Sequence, residues 1–511
     1  MTTWRTGFAA LAAVVLIALL TVPAGAQGTN GNSFQNWNFL GSGARARGMG
    51  GAYLGVSDGV YAGSWNPAGL IYNEGVLLGL NYSYSHVGLD LDYGPAGQPA
   101  LARDQNSTIS NLSSVAFVSP LSVLEKEFVV SVFYNRVQDV FTQSFFKADV
   151  DTILGAPFLG AYRMDGNLAA AGVGFGTTLH KRLTLGATLT ILTGDGSEYM
   201  RTDIDSTRDT SSYNQQTTWI SSSDLDYSGL SATIGLLYRA EKWSAGLVVS
   251  PGYTLTQAVD YSSQRYSTHN LVQDESRRIY GPLHGTKREI NVPYTVGLGG
   301  SYKLSDNILL AADYQYRAFN ADDKLDKSGL SNYRFQESPS EPNSDFEELP
   351  VAWYNLHQVR VGAEYRHETS WGMVPLRLGL RNDPLLLGEE VGNDLYFDQR
   401  LEAEKSVEFP YYSLINDPQG SGSQSNAWTL TLGSGVHWSQ IRLDAAMEFS
   451  SYSYTESGKL YSKYRCPSCD PNDGTVTIDE WGKRNTADWG TYTRKYDNTK
   501  VRFLFNFTGY F

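Results

Sequence analysis

The chain has 511 residues, a formal net charge of −13, 13% aromatic residues, 51 Gly and 2 Cys. So acidic a surface excludes nucleic acid as a partner on electrostatic grounds. Beyond the amino terminus no stretch reaches the ~18 to 20 consecutive apolar residues that a spanning helix requires, which excludes a helical membrane protein.

Arg5, the apolar run Phe8 to Leu20 and the small-residue exit Ala24-Gly-Ala26 have the form of a cleaved secretory signal peptide over residues 1–26. The run is short for a bilayer span, and no Cys stands near the exit to carry a lipid. Loss of Arg5 makes the remaining chain one charge more acidic. Residues 27–74 form a second unit that opens on an apolar cluster, Phe34, Trp37, Phe39 and Leu40. Small residues dominate 43–70, and Gly48, Gly50 and Gly51 permit backbone conformations closed to other residues. Such a segment suits close packing in a confined space and is expected to plug the structure built by the rest of the chain; the alternative is a cap at its periplasmic end. Pro67 fixes its own φ and restricts Asn66, so Asn66, Pro67 and Ala68 read as a rigid turn that either holds the plug or joins it to the first strand.

Residues 75–511 alternate apolar and polar over 75–86, 113–121, 127–136, 166–180, 182–195, 224–239, 242–255, 290–304, 307–319, 355–367, 373–383, 425–437, 439–454 and 499–511. This predicts an all-β fold, a transmembrane antiparallel β-barrel of about fourteen strands. In 182–195, Leu183, Leu185, Ala187, Leu189 and Ile191 share one face against Thr184, Gly186, Thr188 and Thr190. In 427–438, Trp428, Leu430, Leu432 and Val436 oppose Thr429, Thr431, Gly433 and His437. The last strand puts Val501, Phe503, Phe505, Phe507 and Phe511 on one face and Arg502, Asn506 and Thr508 on the other. Each looks half lipid, half lumen.

Connections alternate between tight turns (His180-Lys181, Ala240-Glu241, Ser305-Asp306, Trp438-Ser439) and polar stretches of roughly 25 to 45 residues. With short turns and both chain ends in the periplasm, the outer loops are expected at 87–112, 137–165, 196–223, 256–289, 320–354, 384–424 and 455–498. Acidic pairs in them, such as Asp322-Asp323, Glu347-Glu348 and Glu389-Glu390, read as solvation. Cys466 and Cys469 are expected to close a small disulfide in the last loop, since no further Cys pair or nearby His completes a zinc site.

Strand phase places Arg360, Glu364, Arg366, Arg377, Arg381, Arg442, Asp444 and Glu448 inward. Buried charges must be paired or wet. They either brace the wall as ion pairs or, at Arg377 or Arg381, bind a fatty-acid carboxylate through a bidentate fork. No His-Glu-x-x-His, Gly-x-Ser-x-Gly or phosphate-loop pattern occurs. The reading is therefore not an enzyme, with no cofactor and no metal.

Arg47-Gly-Met-Gly-Gly-Ala-Tyr, Ser57-Asp58 and Trp65-Asn-Pro-Ala-Gly-Leu70 resemble the amino-terminal hatch of FadL-type outer-membrane transporters of long-chain fatty acids and hydrocarbons. The agreement spans about thirty residues, and PorV-type proteins of protein secretion and surface attachment carry a very similar opening. The resemblance implies a fourteen-stranded barrel in the bacterial outer membrane with an internal hatch. Hydrophobic molecules would enter by diffusion and leave laterally through the wall, or, on the PorV alternative, the barrel would bind a protein partner. It also gives Asn66, Pro67 and Ala68 a hatch role and makes Phe34, Trp37, Phe39 and Leu40 candidate ligand lining, packing against the wall being the other reading. Expected partners are the hydrophobic substrate, outer-membrane lipid, and the barrel-assembly machinery through Phe511. The oligomeric state is left open.

Overall fold

Alternate residues of an extended chain face opposite ways, so one apolar and one polar face per strand is satisfied by a closed wall with lipid outside and a polar bore. The computed structural model describes residues 38–95, 103–123, 126–148, 158–207, 214–269, 278–319, 333–335, 347–349, 354–392, 395–399, 419–464 and 486–511. The expected signal peptide, Phe34, Trp37, Cys466 and Cys469 lie outside the described residues.

The wall begins with β1 (Leu77–Pro95), β2 (Arg103–Val123), β3 (Lys126–Ala148), β4 (Phe158–His180), β5 (Leu183–Thr207) and β6 (Asn214–Arg239). It continues with β7 (Trp243–Ser250), β8 (Tyr253–His269), β9 (Arg278–Val292), β10 (Thr295–Lys303), β11 (Ile308–Arg317), and the short β12 (Tyr333–Phe335) and β13 (Glu347–Leu349). The last strands are β14 (Leu356–Thr369), β15 (Gly372–Gly392), β16 (Leu395–Gln399), β17 (Gln419–His437), β18 (Ile441–Tyr464) and β19 (Thr486–Tyr510). All belong to one sheet. Antiparallel pairing of β1 with β19, from Leu77 opposite Tyr510 to Pro95 opposite Tyr492, closes it.

The expected single spans 242–255 and 290–304 are each two strands. β7 and β8 are separated by Pro251-Gly252, and β9 and β10 by Pro293-Tyr294. The breaks are adjacent, since Ser250 pairs with Thr295 on one side of them and Tyr253 with Val292 on the other. Proline cannot donate to the ladder, which fixes both interruptions.

The expected outer loops are shorter than the sequence pattern suggested. Strand continues through Pro95 and resumes at Arg103 within 87–112, and β5 and β6 reach Thr207 and Asn214 within 196–223. A bilayer is crossed by about 9 to 11 strand residues, so these extensions stand beyond the lipid.

Outside, Leu189, Ile191, Leu230, Leu298, Leu376, Leu378, Leu430, Leu432 and Phe505 are exposed, while Thr184, Thr188, Thr429, Thr431, Asp444, Glu448 and Asn506 are buried in the opposite phase. A continuous exposed belt of large aliphatic side chains is unsustainable in water and normal in lipid. Trp243, Tyr302, Trp371 and Trp438 ring the short-turn end, as side chains with an apolar body and a polar edge do at a membrane interface.

Candidate functional site

Residues 38–76 pack against the inward face of this wall. A short helix, α1 (Ala44–Gly48), is followed by Gly50 and Gly51 at φ +68° and +80°, a left-handed path that favours glycine. Asn66 caps a 3-10 helix over Pro67–Tyr72: its Oδ1 accepts from Ala68 N at 3.1 Å, and Pro67 sits where no N–H is needed. Asn66 Nδ2 also donates to Leu54 O at 2.9 Å and to Leu236 O of β6 at 3.1 Å, so the turn both folds the segment and ties it to the wall.

The wall is carved to receive this backbone. A Cβ at Gly379 would overlap Gly50 N, at Gly362 the Met49 carbonyl, at Gly235 the Asn66 side chain, at Gly186 the Pro67 carbonyl and at Gly246 the Leu54 carbonyl. Gly48 lies over Gly433, where a Cβ would stand 3.0 Å from the Gly433 Cα. These wall glycines were missed in the sequence, where each reads as one more small residue on a polar face.

Charges reinforce the contact. Arg47 forks onto Glu448 at 2.7 and 2.6 Å, Arg45 onto Glu364 at 2.8 and 3.1 Å, and Arg45 also reaches Asp58 at 2.5 Å. Asp313 accepts from Tyr53 N at 2.7 Å and Leu54 N at 2.9 Å, with Arg360 3.6 Å away. Arg377 pairs with Glu364 at 2.8 Å and Asp444 at 2.7 Å, and Arg381 with Asp383 at 2.8 Å and Glu448 at 2.7 Å. Both arginines thus face wall carboxylates, the arrangement of a bracing network. Arg366 joins it through Glu364 at 2.9 Å, and Arg442 instead lies over the Tyr510 ring, 4.6 Å from its centre.

On the outward side of this segment the bore is apolar. Met164, Leu168 and Ala170 of β4, Leu192 of β5, Leu225 and Tyr227 of β6, Leu255 of β8, Val292 of β9, Phe319, Leu356 of β14 and Leu386 of β15 form one buried cluster. Phe39 packs on it, and Leu40 belongs to the adjoining cluster of the amino-terminal segment with Met49, Leu54 and Trp65. A polar pair interrupts the apolar lining, Gln257 Nε2 donating to Tyr227 at 2.8 Å. The sequence carried the signal: Leu192 follows Thr184, Gly186, Thr188 and Thr190 on the inward face of β5.

Arg317, at the end of β11, is 5% exposed and stands opposite Leu356 of the apolar cluster. Its hydrogen bonds are long and go to uncharged groups, Asn38 Oδ1 at 3.4 Å and the Phe39 carbonyl at 3.3 Å. Asn38 is held from the other side, donating to the Pro384 carbonyl at 2.7 Å. The alternation of 307–319 sets Asp313 and Arg317 inward by the same phase that sets Arg377 and Arg381 inward, so both were legible in the sequence.

The wall itself parts between β2 and β3. Their registered pairs run from Val123–Lys126 to Ser114–Asn135 and stop, while β2 continues on β1 and β3 continues on β4. Register irregularities at Ser113 in β2 and Val137 in β3 flank the parting. Asn111 bridges it, donating to both Asp139 oxygens at 3.3 and 3.2 Å, and Arg136 of the same strand holds Asp139 at 2.6 Å. Val137 touches the apolar cluster from here.

An exposed aliphatic belt, an aromatic ring and a closed antiparallel sheet define a bacterial outer-membrane β-barrel. No family model matches the chain, and no curated protein matches it. Its fold is similar to the crystal structure of a Pseudomonas aeruginosa FadL homologue, with 11% identity, 92% of this chain and 98% of that chain covered, and a TM-score of 0.55. It is likewise similar to the P. putida toluene transporter TodX, at 13% identity, 93% and 99% coverage and a TM-score of 0.54. A TodX mutant described as a monoaromatic hydrocarbon channel gives 13% identity, 93% and 100% coverage and 0.53. At these identities the likeness is one of fold.

Proposed function

We propose that this protein is a passive outer-membrane transporter of hydrophobic compounds, that residues 38–76 act as its hatch, and that its substrates are long-chain fatty acids. The observation that carries the reading is the apolar cluster spanning the bore above that segment. A lumen for polar solutes has no use for eleven buried residues of which all but Tyr227 and Ala170 are bulky and wholly apolar. The fold shared with a FadL homologue and with the toluene transporter TodX supports the same class.

The substrate chain displaces contacts within the cluster, and its carboxylate meets Arg317. A bidentate, charge-assisted pair is stronger than the two long bonds Arg317 makes to Asn38 and Phe39. Binding therefore releases Phe39, which packs on the cluster, and the substrate leaves laterally through the β2–β3 parting, where Val137 touches the same cluster. Arg377 and Arg381 keep their wall acids throughout.

Arg317→Gln tests this. Fatty-acid affinity should fall roughly 10- to 100-fold, the range of a lost charged hydrogen-bonding pair, while binding of a neutral alkane or toluene is unchanged. Equal losses for acid and hydrocarbon would remove Arg317 from head-group recognition.

A further inference from the structure

A small cavity of about 30 Å³ lies where β2 and β3 part, lined by Ser113, Asn135, Arg136, Asp139, Arg47 and Arg502 among others. That is room for about two waters, or for one carboxylate. Three guanidiniums border it, and the acids nearby are already engaged. Asp139 carries Arg136 and Asn111. Glu448 carries the forks of Arg47 and Arg381, and stands 4.0 Å from Arg502. The remaining bond of Arg502 is to a neutral hydroxyl, Nε donating to Ser85 Oγ at 3.1 Å. Lys500 lies one step outward on the same face of β19, between Val87 of β1 and Ser450 of β18, with no ion pair to any described residue.

A partly buried cation whose nearest acid is already forked by two other bases is costly unless an anion joins it. A bracing role needs an acid for each base, and here two bases stand in surplus, beside a place where backbone pairing of the wall has stopped.

We propose that Arg502 and Lys500, with the polar lining of this cavity, form a second site, which binds the anionic head group of an amphiphile at the wall parting. The site rests on the transport reading for the identity of one source, the departing carboxylate; the other source of the same chemistry is the phosphate of a bilayer lipid entering the parting. The apolar chain of either molecule lies toward Val137 and Leu504, and the head remains at Arg502.

Full-length protein in a neutral detergent is titrated with decanoate by calorimetry, and protein in phosphatidylglycerol nanodiscs is probed with a spin-labelled phosphatidylglycerol. The double variant Lys500→Gln/Arg502→Gln should lose one class of decanoate sites, weakened about tenfold or more, or lose the immobilised lipid signal. The first result assigns the carboxylate, the second the lipid phosphate. Arg502→Lys, which keeps the charge, should restore either. Arg317→Gln should weaken a different decanoate class, so failure of that variant alone strikes the lumenal reading and leaves this site standing. If the double variant, folded as judged by its heat-shifted migration on gels, changes neither readout, the second site does not exist.

Discussion

Glu448 is 4% exposed and accepts from Arg47 of the amino-terminal segment and Arg381 of the wall, with Arg502 4.0 Å away. Replacing it with Gln leaves the buried Arg47 guanidinium without its acid, while Arg381 keeps Asp383, a change that costs about 3 to 5 kcal/mol in comparable settings. Glu448→Gln should therefore lower the unfolding midpoint in urea, whereas Glu389→Gln, in an outer extension, should leave it in place. A second residue acts through shape alone. Gly379→Val would drive a side chain into Gly50 N and the Met49 carbonyl. The barrel should still assemble, but Arg45 and Arg47 should become open to trypsin from the short-turn side; full protection would show that the wall glycines do not seat the segment.

At the scale of elements, the β2–β3 parting is held by Asn111 and Asp139 in place of backbone bonds. A disulfide between Cys residues substituted at these two positions should slow release of fatty acid while leaving its binding unchanged, and reductant should restore the rate. Unaltered release in the oxidised protein would move the exit elsewhere. The parting could not be read from the sequence, because alternation reports which face a residue takes and is silent on which neighbour a strand pairs with. The faces themselves were legible: Leu189 and Ile191 are exposed and Thr184 and Thr188 buried, as the pattern of 182–195 required. The breaks at Pro251 and Pro293 were also legible in principle, since each residue is forbidden a ladder bond, but strong alternation on either side concealed them. For the site, phase gave the inward arginines without saying which of them have acids opposite. Only three-dimensional register separates Arg377, set between Glu364 and Asp444, from Arg317, set beside an apolar cluster.

For the molecule as a whole, passive transport of hydrophobic compounds requires a bore closed to ions and lined for hydrocarbon. A chain lacking residues 44–72 should insert into planar bilayers and conduct in discrete steps, while the full chain stays silent. The most direct test of the central claim is photolabelling with a long-chain fatty acid bearing a terminal diazirine, followed by mass-spectrometric mapping of the adducts. The account predicts labels on Leu168, Leu225, Leu255 and Phe319, suppressed by excess oleate. Labels confined to the lipid-facing Leu189, Ile191, Leu430 and Leu432, and indifferent to oleate, would contradict it.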